Sequence, residues 1–181
     1  MRNAVAKKIA VLGVLTALSL LTFLIENLFP PILIPGAKLG LANAFSFIAL
    51  IMYSPIEAFA VVIIRTALGA IFAGNVSAVM YSFTGGVVAM GISSLLMYVA
   101  FPRISVTCIS VISAALHNLT QNAVFVAVSG TPLAFAYAPY LMLLGIVSGA
   151  FVGIAVTAIV KRVPSSAFNS LLGVKKISQP D

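Results

Sequence analysis

The sequence predicts an all-α, polytopic membrane protein with six transmembrane helices, on three observations. Only 7% of the 181 residues are charged and 62% are apolar, against about 25% charged in ordinary soluble domains. The mean hydropathy of +1.20 is carried by long apolar runs interrupted by proline, glycine and charge. Those runs lack the alternation of a membrane β-barrel, and an open strand edge has no hydrogen-bonding partner in lipid, so each run reads as a helix.

Taken in order, the runs place spans near 9–29, 39–53, 56–73, 77–100, 104–128 and 133–160. A helix crosses the roughly 30 Å hydrocarbon core in about 20 residues, so six spans leave no room for a separate soluble domain. The first run follows Arg2, Lys7 and Lys8 and ends at Glu26-Asn27-Leu28-Phe29-Pro30 without a small-residue cleavage site. It is read as a span, not a signal peptide. The second run is the shortest, at about fifteen residues by the usual loop punctuation. The third opens at Pro55 with Glu57 close behind, where a carboxylate favours the helix dipole, so Glu57 is given no ligand role. Residues 1–163 form one six-helix domain. Residues 164–181, rich in Ser, Lys and Pro, form a basic tail that lies on the membrane surface or is disordered.

Ten Lys and Arg against three acidic residues give a net charge of +7. In a soluble protein that balance raises nucleic acid as a partner. Here it reads as topology, because positive loops stay cytoplasmic. With a cytoplasmic N-terminus, six spans put Arg2, Lys7, Lys8, Arg103, Lys161, Arg162, Lys175 and Lys176 inside, Lys38 outside and Arg65 within a span. Both termini are then cytoplasmic, and no nucleic-acid role is expected.

Several chemistries have no support. The chain has no Gly-x-x-x-x-Gly-Lys-Ser/Thr phosphate loop, so any ATP-driven step needs a partner. Glu26, Glu57 and Asp181 are its only acidic residues, too few and too scattered for a magnesium-dependent prenyl-diphosphate site. One cysteine, Cys108, excludes a disulfide framework and a cysteine metal site. A lone His117 without a partner Asp makes a poor hydrolytic triad. Neither a metal, a cofactor nor catalysis by this polypeptide alone is expected.

Charges inside spans cost from about 2.5 kcal/mol upward at the helix centre and mark function by default. Counted along each helix from its inner end, Arg65 lies about 13 Å up, His117 about 20 Å, Gln121 about 25 Å and Glu26 about 26 Å, with Asn43 at a comparable outer level. Ser110, Ser113, His117 and Gln121 recur at three- and four-residue spacing and form one polar stripe on the fifth helix, which Asn118 and Asn122 extend to one side. Such a stripe serves either interhelical hydrogen bonding or a lined cavity. Its density of polar groups favours the cavity. Arg65 and Glu26 could neutralise each other, but the level difference of about 13 Å argues against direct contact and leaves Arg65 to bind a carboxylate, phosphate or polarised carbonyl. The segment from Pro30 to Lys38 is apolar and too proline-rich for helix. It folds back over the cavity or forms a rigid turn, with Lys38 at the outer mouth. Ala10, Gly13 and Ala17 make a smooth stripe on the first helix, which suits packing within the chain and docking of a partner equally well. Gly69, Gly74, Gly85, Gly86 and Gly91 are read as packing and hinge positions.

Lys38-Leu39-Gly40-Leu41-Ala42-Asn43 after Pro35-Gly36, Arg65 in the next span, Ser82-Phe83-Thr84-Gly85-Gly86, and His117-Asn118 followed by Gln121 resemble a small bacterial family. It is labelled heptaprenyl diphosphate synthase component I and is also called the Gx transporter family. That family is similar in turn to the substrate-binding S components of energy-coupling factor (ECF) transporters. The resemblance implies an S-component-like bundle in the bacterial cytoplasmic membrane. It implies a substrate pocket in the outer half, with Glu26, Lys38, Asn43, Arg65, His117, Asn118 and Gln121 as its candidate residues. The Pro30 to Lys38 loop takes the role of lid, and Ala10, Gly13 and Ala17 dock a transmembrane T subunit that works with two ATPases. The substrate is expected to be a small vitamin-, flavin- or isoprenoid/quinone-related molecule. The other role the family label implies is that of a membrane accessory in heptaprenyl diphosphate or quinone biosynthesis.

Overall fold

The six apolar runs fold as six α-helices, one for each expected span. The computed structural model describes residues 2–28, 40–73 and 76–163. In chain order the helices are α1 (Arg2–Leu28), α2 (Asn43–Met52), α3 (Pro55–Ala73), α4 (Val76–Val99), α5 (Val106–Ser129) and α6 (Ala138–Arg162), with a 3-10 turn over Pro132–Tyr137 before α6. No strand occurs among the described residues. The boundaries follow local turn chemistry. The Ser105 hydroxyl accepts the Cys108 N–H at 3.1 Å and caps the start of α5. Gly130, at φ 64°, closes the same helix in the left-handed conformation. Pro55 opens α3 and Pro139 falls in the first turn of α6, where a missing N–H costs nothing.

The second helix departs from the sequence expectation. Among the described residues five helices are long and apolar enough to cross a membrane, and α2 is not one of them. It has ten residues, a rise of about 15 Å, where a run over 39–53 was expected. It starts late because Gly40 takes φ 71° and the chain turns through Leu41 and Ala42 before helical geometry begins. Short as it is, α2 is the centre of the bundle. Every residue from Ser46 to Met52 is buried, against α1, α3, α4 and α6. A helix apolar all round belongs in a core, and Leu50 and Ile51 pack there with Val61, Val62, Met97, Ile109 and Val156.

One end of the bundle is pinned by charge. Lys8 pairs with the Glu57 carboxylate, which also accepts from the Ser54 hydroxyl, and the Lys8 ammonium sits 5.5 Å from the Tyr53 ring centroid. This joins the start of α1 to the corner between α2 and α3, and Glu57 sits in the first turn of α3 as a capping residue would. Because successive helices reverse direction, the same end also carries Lys7, Arg103, Lys161 and Arg162. The Pro30 to Lys38 loop, Lys38 itself and the 164–181 tail lie outside the described residues.

The closest helix contact, between α5 and α6, is made by Gly145, Gly149 and Gly153, one helical turn apart. A Cβ at Gly149 would stand 2.8 Å from the Val111 Cα, and one at Gly153 would stand 2.6 Å from the Thr107 Cα. Small residues at this spacing let backbones meet directly, and dispersion and weak C–H contacts then hold the pair in lipid. Gly149→Ala should therefore cost about 1–3 kcal/mol through overpacking against backbone that cannot yield. Gly13→Ala, whose Cβ would meet nothing within 4 Å, should leave the unfolding midpoint in detergent unchanged or raise it. Equal midpoints for the two variants would contradict the packing.

Candidate functional site

The site is built around the first residue of α2. Two bonds from α1 fix the approach: the Leu41 N–H donates to Glu26 Oε1 at 2.7 Å, and the Ser19 hydroxyl donates to the Ala42 carbonyl at 2.7 Å. They hold the turn after Gly40 so that the Asn43 carboxamide enters the bundle. There its Oδ1 accepts from Arg65 Nη2 at 3.1 Å, and its Nδ2 lies 3.3 Å from His117 Nδ1. One carboxamide thus joins α2, α3 and α5. Arg65 is 2% exposed and His117 3%, which makes this a buried polar centre and not a surface contact.

Helix α4 admits these side chains by having none of its own at the critical step. A Cβ on Gly85 would lie 3.0 Å from His117 Nδ1 and 2.8 Å from Gln121 Cγ, and one on Gly86 would lie 3.2 Å from Arg65 Nη2. Gly85 and Gly86 are therefore the floor of the polar centre, and any other residue there would displace the histidine, the glutamine or the guanidinium. On the opposite side Gly40, at φ 71°, lies in ordinary van der Waals contact with the His117 ring and closer to the Asn43 amide, whose Nδ2 would stand 3.3 Å from a Cβ there.

The polar stripe on α5 serves both purposes that the sequence allows. Ser113 accepts from Ser93 of α4 at 2.8 Å, Asn118 donates to the Leu141 carbonyl of α6 at 3.0 Å, and Asn122 donates to the Ala134 carbonyl of the 3-10 turn at 3.0 Å. These are helix-to-helix bonds. Ser110, Ser113, His117 and Asn118 also border a cavity whose other walls are Asn43, Ser93 and Ser148 on the polar side and Phe47, Met90 and Val152 on the apolar side. Its volume is about 30 Å³, room for one or two waters. A vitamin-sized ligand occupies about 300 Å³ or more, so its entry requires the helices around the cavity to part.

Of the expected site residues, Asn43, Arg65 and His117 form one hydrogen-bonded chain, with Gln121 against it at Gly85. Asn118 borders the cavity while holding α6. Glu26 holds the Leu41 backbone and lies within electrostatic reach of Arg65. Lys38 is outside the described residues. Ala10, Gly13 and Ala17 lie exposed along α1, away from the polar centre. Gly85 and Gly86, read from sequence only as packing positions, belong to the site. A glycine pair in mid-span, opposite a polar stripe, is the signal that could have found them. Among the described residues no three of His, Cys, Asp and Glu come together as a metal site would require.

A family model described as heptaprenyl diphosphate synthase component I matches residues 15–159, most of the chain. No curated protein and no solved structure matches it.

The chain of bonds through Asn43 has a measurable consequence. Asn43→Leu strands a buried guanidinium N–H and a buried imidazole nitrogen together, at about 1–3 kcal/mol for each, and should lower the unfolding midpoint markedly. Ser46→Ala, one turn along the same helix, removes a buried hydroxyl with no hydrogen-bond partner and should be neutral or stabilising. A midpoint for Asn43→Leu equal to the parent's would rule out this role for Asn43.

Proposed function

The chain belongs to the heptaprenyl diphosphate synthase component I family, and we propose that it acts as a membrane-embedded, non-catalytic binding unit. In this reading it is an S-component-like subunit of an ECF-type transporter. It captures a small vitamin-, flavin- or isoprenoid/quinone-related molecule from the outer side, with energy supplied by partner ATPases. The observation that carries the reading is a buried, hydrogen-bonded Arg65–Asn43–His117 centre whose Asn43 and His117 border a small, largely apolar cavity, in a chain without a phosphate loop or a cluster of carboxylates. Intramembrane ionisable groups are retained where they bind or relay, and side chains that only glue helices do not need a charge.

The orientation follows from charge. The end that carries Lys7, Lys8, Arg103, Lys161 and Arg162 is the cytoplasmic one, which puts the Asn43 level in the outer half. Arg65, His117, Asn43 and Gln121 make the binding contacts, with Asn118, Glu26 and Lys38 around them. The exposed Ala10, Gly13 and Ala17 stripe is the docking face for a T subunit. A second reading is favoured by the family description itself: a membrane accessory that holds a prenyl synthase subunit at the bilayer and contributes no catalytic group.

Small molecules that co-purify with the detergent-solubilised protein, identified by mass spectrometry, test the binding reading. Arg65→Ala and His117→Ala should each deplete the bound compound at least tenfold, as expected when a ligand loses a partner worth about 1–3 kcal/mol. If both variants fold and retain the compound as the parent does, the pocket is elsewhere.

A further inference from the structure

The bonds around Asn43 decide more than stability, because they fix which ring nitrogen of His117 carries a proton. Arginine can only donate. The Asn43 atom 3.1 Å from Arg65 Nη2 must therefore be the carbonyl oxygen, which turns the amide NH2 toward His117 Nδ1 at 3.3 Å. An amide NH2 can only donate, so Nδ1 must present its lone pair. The ring is then neutral and its proton is on Nε2. A doubly protonated ring would set N–H against N–H in a buried space beside an arginine.

Next to this chain of bonds on α3 and α5 stand two further donors, while Asn122 Oδ1 on the flank of the stripe is a buried acceptor. Arg65 Nε and Gln121 Nε2 are both buried donors with no hydrogen-bond partner among the described residues. Their side chains are 2% and 4% exposed. The two side chains meet α4 at adjacent positions, Gln121 through its Cγ at Gly85 and Arg65 through its Nη2 at Gly86. Buried donors without acceptors are costly and rare, and two at neighbouring glycines mark a place where an acceptor belongs.

We infer that the Arg65–Gln121 edge of the polar centre is a donor site for an acceptor oxygen of a small molecule, a carbonyl or a carboxylate, and that Asn43 is the positioning residue that holds His117 as the neutral Nε2–H tautomer beside it. The inference rests on the reading of this centre as the substrate site and specifies the chemistry of what it takes. Among the described residues, Arg65 of α3 shares Asn43 with His117 and feels the charge of Glu26 of α1. Helix α2 brings Asn43, α4 has no charged residue, and α6 has only Lys161 and Arg162 at the opposite end.

The chain contains one histidine, so selective ¹⁵N-histidine labelling gives two ring signals and no overlap. The parent protein in nanodiscs at neutral pH should show Nδ1 as the unprotonated nitrogen and Nε2 as the protonated one. Asn43→Asp offers an acceptor in place of the amide donor and should shift the ring toward the doubly protonated form at the same pH. A parent ring already protonated on Nδ1 overturns the relay. Binding is read on the same signals with three probes: 1,4-naphthoquinone and 1-naphthoate, which accept, and naphthalene-1,4-diamine, which donates. The acceptors should move the His117 signals and the diamine should not, with Gln121→Leu weakening the effect about tenfold. The tighter of the two acceptors distinguishes a carbonyl from a carboxylate ligand. A response to the diamine equal to that of the acceptors, or a response to none of the three, overturns the donor site. The transport reading would survive that result if a native compound still co-purifies with the protein.

Discussion

A guanidinium buried in the middle of a membrane-spanning bundle has to be satisfied from within, and much of this molecule can be understood as the means of doing so. Lipid offers Arg65 no acceptor, and leaving it bare costs from about 2.5 kcal/mol upward. Its partner is Asn43, and Asn43 reaches it only because α2 begins late, after a left-handed Gly40 and a turn held by Glu26 and Ser19 of α1. The shortness of α2 and the position of its first residue are thus one feature.

The surrounding helices divide the remaining work. Helix α2 fills the core with apolar side chains toward the basic end, where Lys8, Glu57, Ser54 and Tyr53 hold α1 to the α2–α3 corner. Helices α5 and α6 meet backbone to backbone along Gly145, Gly149 and Gly153, a rigid wall that carries the polar stripe. Helix α4 closes the centre with Gly85 and Gly86. One end is packed with apolar side chains, and the other concentrates hydrogen-bonding groups around a small cavity.

The sequence made a good part of this legible. Apolar runs long enough to span, broken by proline and charge, mark the helices because bilayer thickness and backbone hydrogen bonding leave little alternative. The His117 stripe was legible because side chains three and four residues apart share a helix face, and its members are buried together. Less was legible where the outcome depended on side-chain reach or on which residues face each other across helices. Counting rise along α1 and α3 places Glu26 and Arg65 at different levels, and only the fold shows that the Glu26 carboxylate holds the Leu41 backbone. The four-residue spacing of Gly145, Gly149 and Gly153 is plain in the sequence, but only the fold shows that it faces the α5 backbone. The role of Gly85 and Gly86 needed the fold, since a glycine pair shows its purpose only when the side chains that fill its space are known.

The central claim is that this polar centre belongs to a binding unit that works with energy-coupling partners. Its most direct test is a mild-detergent pull-down of the tagged protein from its native membranes, with every co-purifying protein identified by mass spectrometry. Recovery of a transmembrane T subunit together with two ATPases is the predicted result. Recovery of a prenyl synthase subunit without ATPases would contradict the claim and make the family's description literal for this chain.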